Sequence, residues 1–128
     1  MVRVVAAVIL RDGEVLLCQR RATDRHPNKW EFPGGKVESG ESIEDCLRRE
    51  LREELDIEAV AGAALWNTQH DYGDLCVDLT FVAVSRIDRE PRNLCFADMR
   101  WVPLEALESY DLLDADREMV ARLRRDGC

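Results

Sequence analysis

The 128-residue chain has few of the residues that build zinc sites or disulfide frameworks. It contains only two histidines, and its five cysteines include no pair separated by two residues. A zinc site or a redox motif of the Cys-x-x-Cys type is therefore not predicted. An odd number of cysteines scattered through apolar stretches is typical of reduced thiols, and we expect most of them in the core.

Long apolar runs are also missing. No stretch approaches the roughly 18 residues that a membrane-spanning helix needs, and the first apolar segment is too short for a signal peptide with a cleavage site. The sequence thus predicts no membrane partner and a cytoplasmic location.

The chain lacks an excess of positive charge. It has 18 lysines and arginines against 26 aspartates and glutamates, which gives a formal net charge of −8. Polymeric nucleic acid binds to cationic surfaces that neutralise its phosphates, so such a partner is not expected. A small phosphate compound remains compatible with an acidic protein when metal ions supply the positive charge.

The length fits one domain over residues 1–128. An Asp-Gly pair at Asp12 and Gly13 lies between apolar runs at residues 2–10 and 15–18 and predicts a hairpin. Further strands are predicted at residues 59–69, 75–84 and 99–102, a helical turn at 103–107, and a final helix at 115–125. The whole pattern predicts a mixed α/β fold.

A helix at residues 43–55 is the clearest element of the sequence. Ser42 is a suitable N-cap, and acidic residues follow it in the first turn, where they suit the helix dipole. Leucines at every fourth position form the predicted buried stripe, and these are Leu47, Leu51 and Leu55.

Three glutamates, Glu50, Glu53 and Glu54, share a face of this helix beside the leucine stripe. Like charges at this spacing destabilise a helix by a few tenths of a kcal/mol. A cluster of hard oxygen ligands is, however, what Mg²⁺ binds, so the three glutamates are candidate ligands. The alternative is an ordinary solvated face whose charge is offset by neighbouring arginines.

The spacing around these glutamates resembles the Nudix box, the signature of the Nudix hydrolases. Gly35 is followed after five residues by Glu41, and after seven more by the sequence REL, then by Glu53-Glu54 and by Ile57. One position departs from the box, because Asp56 stands where the family has glycine. Aspartate tolerates the left-handed conformation at this helix end at a cost of about 1 kcal/mol.

The resemblance implies an α/β/α sandwich with a mixed sheet between helices, and it implies a role for each matching residue. The glycines at 34 and 35 are expected to turn tightly and to bring a bare carbonyl to the ions. The implied metal ligands are the Gly34 carbonyl, Glu50, Glu53 and Glu54. The implied catalytic residues are Glu50, as the base that activates water, Glu53, and Arg49, which orients a carboxylate. Glu41 is either a partner of these groups or a negative charge placed before the helix.

Segments outside the box resemble the MutT and bacterial CTP pyrophosphohydrolase branches. They are Gln19-Arg20-Arg21, residues 28–36 and Met99-Arg100-Trp101. The implied reaction converts a nucleoside triphosphate into a monophosphate and pyrophosphate. It depends on Mg²⁺, or on Mn²⁺ in its place. Its implied role is the removal of modified nucleotides, namely of a cytosine-type or oxidised guanine nucleotide.

The same resemblance implies residues that bind this substrate. Arg20 and Lys36 match positions near the phosphates, and Asp116 matches a residue that contacts the base edge, with helix capping as its alternative role. Phe32 and Trp30 are candidates for apolar pocket walls or for the core.

Two positions differ from these relatives. Cys95 stands where MutT-like enzymes have a loop carboxylate, so that either Asp98 replaces it, or the box carboxylates suffice, or activity is lower. An arginine expected near Leu75 is absent.

Other functions are compatible with the pattern. A Nudix hydrolase of ADP-ribose, of a dinucleoside polyphosphate or of capped RNA is one, and a non-catalytic ligand-binding module is another. The two histidines, His26 and His70, are assigned surface or packing roles. The protein is expected to be a monomer or a homodimer.

Overall fold

The computed structural model of the protein describes residues 1–126, so Cys128, counted above among the reduced thiols, lies outside the described residues. Its strands are β1 (Val2–Val8), β2 (Leu10–Arg11), β3 (Glu14–Gln19), β4 (Trp30–Glu31), β5 (Gly34–Lys36), β6 (Ala59–Asp71), β7 (Cys76–Ile87) and β8 (Asp98–Pro103). Its helices are α1 (Ile43–Leu55), a 3-10 helix at Leu104–Ser109, and α2 (Asp114–Asp126). Strands β6 and β7 are longer than predicted.

The strands form two four-stranded sheets. The first has the order β5-β1-β7-β6, in which β1 runs parallel to β7 and antiparallel to β5. In the second, β3 pairs antiparallel with β2, β4 and β8. Asp12 and Gly13 both have positive φ in the turn between β2 and β3, as the predicted hairpin requires. The mixed α/β prediction is confirmed.

Strand β1 lies between two cores because both of its faces are buried. Val5 and Ala7 belong to the core on the α1 side, whereas Ala6 and Val8 belong to the core on the α2 side. The α1 side includes the predicted leucine stripe, and the α2 side includes Met119, Val120 and Leu123. Alternate side chains of a strand point to opposite faces, so the buried apolar residues 5–8 of one strand serve both helices. The predicted α/β/α sandwich is confirmed.

Helix α1 has the predicted limits at both ends. The Ser42 hydroxyl accepts the Asp45 N–H at 3.1 Å and caps the first turn. At the other end Asp56 adopts the left-handed conformation, with φ 56° and ψ 42°, and its N–H donates to the Arg52 carbonyl. Aspartate therefore does here what glycine does in the box.

The expected tight turn at Gly34 and Gly35 is wrong, because both residues lie in strand β5 and pair with β1. Close approach explains the glycines instead. A Cβ on Gly34 would lie 2.0 Å from the Val5 carbonyl oxygen, and one on Gly35 would lie 2.4 Å from the carboxyl carbon of Glu50. The absence of side chains allows β5 to pack directly against β1 and against the acidic face of α1.

The expectation that most cysteines are buried holds for only half of those described. Cys18 and Cys46 are buried, whereas Cys76 and Cys95 are exposed, and all four are free thiols. Among residues 1–126, no helix combines the length and apolar character that a membrane span requires.

Candidate functional site

A cleft of about 380 Å³ opens beside β5 and the acidic face of α1. Its walls come from β1, β4 and β5, from the loop at residues 20–29, from the turn between β6 and β7, and from the start of α2. Predicted site residues in the wall are Arg20, Phe32, Gly34, Lys36, Glu54 and Asp116. Residues distant in sequence thus meet at one concave surface, which is the usual form of a small-ligand site.

Glu54 lines this cleft, and Glu50 lies beside it on the same face of α1. The Glu54 carboxylate accepts the Gly34 N–H at 3.2 Å, and the Glu50 carboxylate packs against Gly35. Burial, followed by the neighbouring charges of Glu50 and Glu31, raises the pKa of Glu54 to about 9. Burial also raises the pKa of Glu50, although Arg49 opposes that shift. The two carboxyl groups are therefore crowded, and within residues 1–126 Arg49 forms an ion pair with Glu50 but not with Glu54.

Glu53 does not join this pair. Its side chain is 58% exposed and contacts Arg49 at 3.4 Å at the rim of the site. Within residues 1–126 no three or more His, Cys, Asp or Glu side chains are gathered around one point where a metal ion would fit. The structure therefore brings together two of the three glutamates predicted as ligands, and the ligand roles remain predictions.

Arg49 binds a second set of carboxylates, Glu41 and Glu50, closer to the N-terminus of α1. It donates to Glu41 at 2.7 and 3.0 Å, to Glu50 at 2.8 Å and to the Lys36 carbonyl at 3.1 Å. Hydrogen bonds from Arg49, with a smaller effect of the Glu38 N–H, lower the pKa of Glu41 to about 2. Of the two roles considered for Glu41, the contacts favour that of a partner, because it fixes the guanidinium that holds Glu50.

Glu31 is a site residue that the sequence did not indicate. Its carboxylate lines the cleft and forms an ion pair with Arg20 at 3.3 Å. Burial raises its pKa to about 7 despite that arginine. The sequence carries little indication of this role, because a glutamate beside Phe32 is common. The fold places Glu31 next to Glu54 and Asp116.

The two predicted phosphate-binding cations have different surroundings. Arg20 is held by Glu31 and by the Arg25 carbonyl, to which its Nε donates at 2.5 Å. Lys36 is an exposed residue at the cleft wall. Arg20 is thus already oriented by neighbours, whereas Lys36 is open to solvent.

Asp116 lies deep in the cleft, at 3% exposure, and accepts the Phe32 N–H at 3.1 Å. Burial, with a smaller effect of Glu31, raises its pKa well above the ordinary value. Asp116 is the third residue of α2. Its side chain bonds to Phe32, the residue that follows strand β4. These contacts favour a role in the cleft over helix capping. Phe32 also lines the cleft, but Trp30 packs edge-on against Tyr110 in the core.

Cys95 lies in the cleft wall, where the relatives' loop carboxylate was expected. Its loop is fixed to the end of α1, since the N–H of Leu94 donates to the Glu54 carbonyl at 3.0 Å. Burial and the nearby Glu54 raise the pKa of Cys95 to about 11, so the thiol is neutral near pH 7. Asp98 does not replace it, because its carboxylate binds the Met99 N–H and Arg100.

His26 also lines the cleft, which goes beyond the surface or packing role assigned to it. Its ring lies 4.7 Å from the ring of Tyr72, and His70 contacts the same tyrosine from 4.4 Å. Tyr72 in turn accepts the Ala115 N–H at the start of α2. The loop at residues 20–29 is thereby connected to the turn between β6 and β7.

The donor set fits a hard divalent cation. Carboxylate oxygens and backbone carbonyls are the ligands of Mg²⁺ and Mn²⁺. A cation between Glu50 and Glu54 would offset the repulsion that raises the pKa of Glu54. The residues present therefore suit a metal whose other ligands are water and substrate oxygens, with Glu53 and the Gly34 carbonyl as the further predicted donors.

Comparison with known proteins agrees with this geometry. The CTP pyrophosphohydrolase of Escherichia coli is 48% identical over 79 residues, which cover 62% of this chain and 58% of that protein. The 8-oxo-dGTP diphosphatase of E. coli is 32% identical over 96% of both chains. The solution structure of the E. coli ORF135 protein matches with a TM-score of 0.86 and 37% identity, over 97% of this chain and 91% of that one.

A family model also matches most of the chain. The NUDIX domain model matches residues 1–123, and these residues include the whole cleft and all of the predicted site residues. The chain therefore belongs to the NUDIX family of hydrolases.

Proposed function

We propose that the protein is a divalent-metal-dependent nucleoside triphosphate pyrophosphohydrolase that removes modified nucleotides from the cytoplasmic pool. Water attacks one phosphorus of the linkage between the α- and β-phosphates, the P–O bond of that linkage breaks, and a nucleoside monophosphate and pyrophosphate result. Relatives named for CTP and for 8-oxo-dGTP support this substrate class. Nudix hydrolases generally need a divalent metal, and we propose Mg²⁺, with Mn²⁺ as a substitute.

One observation supports the proposal above the others. The Glu54 carboxyl group, crowded by Glu50, lines a cleft whose wall also contains arginines and a lysine. Carboxylates beside cationic side chains suit a phosphate chain bridged to carboxylates by a divalent cation. When bound, such a cation neutralises phosphoryl oxygens and makes water more acidic.

The chain's own residues have separate tasks in the proposed reaction. Glu50 accepts the proton of the attacking water, and Arg49 fixes the Glu50 carboxylate through the bond to its Oε1 at 2.8 Å. The Gly34 N–H fixes Glu54 in the same way. Glu53, at the rim, completes the predicted ligand set.

The opposite end of the cleft suits a nucleobase. Phe32 offers an apolar surface, and Asp116 offers a buried carboxyl group whose raised pKa favours the protonated form. A protonated carboxyl group both donates and accepts a hydrogen bond, so it suits a base edge that presents an acceptor beside an amino group. Cytosine has such an edge, which favours a cytosine-type triphosphate over oxidised guanine.

A nucleotide panel with Mg²⁺ tests the proposal. We expect pyrophosphate and a monophosphate from a nucleoside triphosphate, with methylated or oxidised bases included. Preferred release of AMP from ADP-ribose would instead support a different Nudix hydrolase. Nucleotide binding without turnover by the metal-loaded protein would support a binding module. Size-exclusion chromatography with light scattering would decide between the monomer and the homodimer.

A further inference from the structure

We propose that Arg25 is a nucleotide-binding residue and that Asp74 is the positioning residue that holds it over the cleft. Neither residue belongs to the predicted site set. The inference rests on the proposed function, because it assigns the phosphate of the bound nucleotide as the partner of Arg25.

The charge pairing in the cleft wall singles out Arg25. The loop at residues 20–29 contributes three arginines to the wall, namely Arg20, Arg21 and Arg25. Arg20 is paired with Glu31, and Arg21 is paired with Asp24 at 3.2 Å. Both of those carboxylates also line the cleft, so each of these two arginines has its counter-ion within the wall.

Arg25 differs because its counter-ion lies elsewhere. Its Nη2 donates to Asp74 at 2.7 Å, and Asp74 is a residue of the turn between β6 and β7 that is not part of the cleft wall. Arg25 therefore lines the cleft while a carboxylate outside the wall orients its guanidinium. An arginine with five N–H donors retains several for a phosphate after one bond to aspartate.

The loop geometry supports a fixed position for this side chain. The Arg25 carbonyl accepts the Nε–H of Arg20, and the next residue, His26, has φ 51° and packs on Tyr72. Arg20 thus holds the loop at its first residue. The contacts of Arg25 and His26 with the turn between β6 and β7 hold its middle. Loss of Asp74 would leave the guanidinium mobile without removing it.

Binding of CMP and of 8-oxo-dGMP, each compared with its uncharged nucleoside, tests the assignment by calorimetry over a range of salt concentrations. Arg25→Ala should weaken binding of the monophosphate about tenfold, which corresponds to one charge-assisted hydrogen bond. Binding of the nucleoside should be unchanged, and the salt dependence of monophosphate binding should decrease. Asp74→Asn should weaken monophosphate binding by up to about fivefold, the range of an exposed ion pair.

Turnover provides a second readout. Both variants should raise KM for the triphosphate with kcat nearly unchanged, because the proposed contact is to bound nucleotide and the chemical groups are intact. Arg11→Ala is the matched control, since Arg11 forms an ion pair of similar exposure with Glu90 that is not part of the cleft wall. It should leave KM unchanged.

The outcomes separate this proposal from the one on which it rests. A wild-type enzyme that hydrolyses triphosphates, with Arg25→Ala and Arg11→Ala indistinguishable in KM and in CMP binding, would overturn the assignment of Arg25 alone. Equal loss of nucleoside and monophosphate binding in Arg25→Ala would overturn the phosphate contact. A wild-type protein that neither binds these monophosphates nor hydrolyses triphosphates would overturn both proposals.

Discussion

Two carboxyl groups beside the same helix differ in how their charge is balanced: that of Glu41, which precedes the N-terminus of α1, and that of Glu54, near its C-terminus. At the N-terminal end, Glu41 is bonded to Arg49, and its pKa falls to about 2. At the C-terminal end, Glu54 is partly buried beside Glu50, and its pKa rises to about 9. The residue type is the same, so the contrast comes from the surroundings: burial and the charges of Glu50 and Glu31 raise the pKa of Glu54, whereas the hydrogen bonds of Arg49 lower that of Glu41. The protein completes the first group itself, and the second suits a cation from solution.

Replacing Glu54 should give the largest effect and remove the unbalanced side of this contrast. Glu54→Gln keeps an oxygen for the Gly34 N–H but removes a predicted metal ligand, so kcat should fall about 100-fold or more. Steady-state hydrolysis of the best triphosphate from the panel measures this loss. A rate within about threefold of wild type would remove Glu54 from the metal site.

The same variant should be more stable than the wild type in the absence of metal. The folded-state pKa of Glu54 lies above its unfolded value, so stability is lost as pH rises from about 4.5 to about 9. Glu54→Gln should recover on the order of 2 kcal/mol near pH 7, as one pKa unit is worth about 1.4 kcal/mol. Urea unfolding at pH 5 and pH 8 checks the sign, because the gain should be larger at pH 8. Exposed Glu53→Gln is the control and should gain little stability while losing activity.

Replacing Arg49 should break the balanced side. Arg49→Ala leaves Glu41 and Glu50 without their shared partner, so both stability and activity should fall. We expect kcat to decrease by about 10- to 100-fold, because Glu50 loses its orientation while the metal ligands remain. A double variant with Glu41→Gln should recover part of the lost stability but not the lost activity. Recovery of activity would show that Arg49 acts only on the fold.

Much of this contrast is visible in the sequence, because it lies in one continuous stretch from Glu41 to Glu54. The spacing of the leucines and the caps at Ser42 and Asp56 gave the correct limits of α1. The partners from other elements were not predictable. Glu31 enters the site from β4, and Asp74 reaches Arg25 from the turn after β6, through pairings that local patterns do not encode. The sequence predicts a turn at the glycines of β5, because the packing of an acidic side chain against the backbone has no pattern in the local sequence.

Asp116 sharpens the comparison by showing a buried carboxyl group outside the metal site. Its pKa is raised by burial, so its ionisation should destabilise the fold as pH rises above the unfolded value of about 3.8. Asp116→Asn should therefore be more stable than the wild type at pH 8, by about 1 kcal/mol or more, with a smaller difference at pH 4. Thermal melts at the two pH values check this. Added Mg²⁺ should stabilise this variant as much as the wild type, in contrast to Glu54→Gln.

Asp56 provides the smallest expected effect. Glycine at this left-handed position would relieve about 1 kcal/mol of strain, while the exposed ion pair of Asp56 with Arg92 contributes a few tenths. Asp56→Gly should therefore raise the melting temperature slightly and leave activity unchanged. A lower melting temperature would show that the contact with Arg92 outweighs the strain.

Titration of Mg²⁺ into wild-type protein and Glu54→Gln, followed by calorimetry without nucleotide, tests most directly whether the crowded pair is a cation site. We expect wild type to bind the ion and Glu54→Gln to bind it at least about tenfold more weakly, with Arg11→Ala matching wild type. Equal Mg²⁺ affinity in wild type and Glu54→Gln would contradict the account.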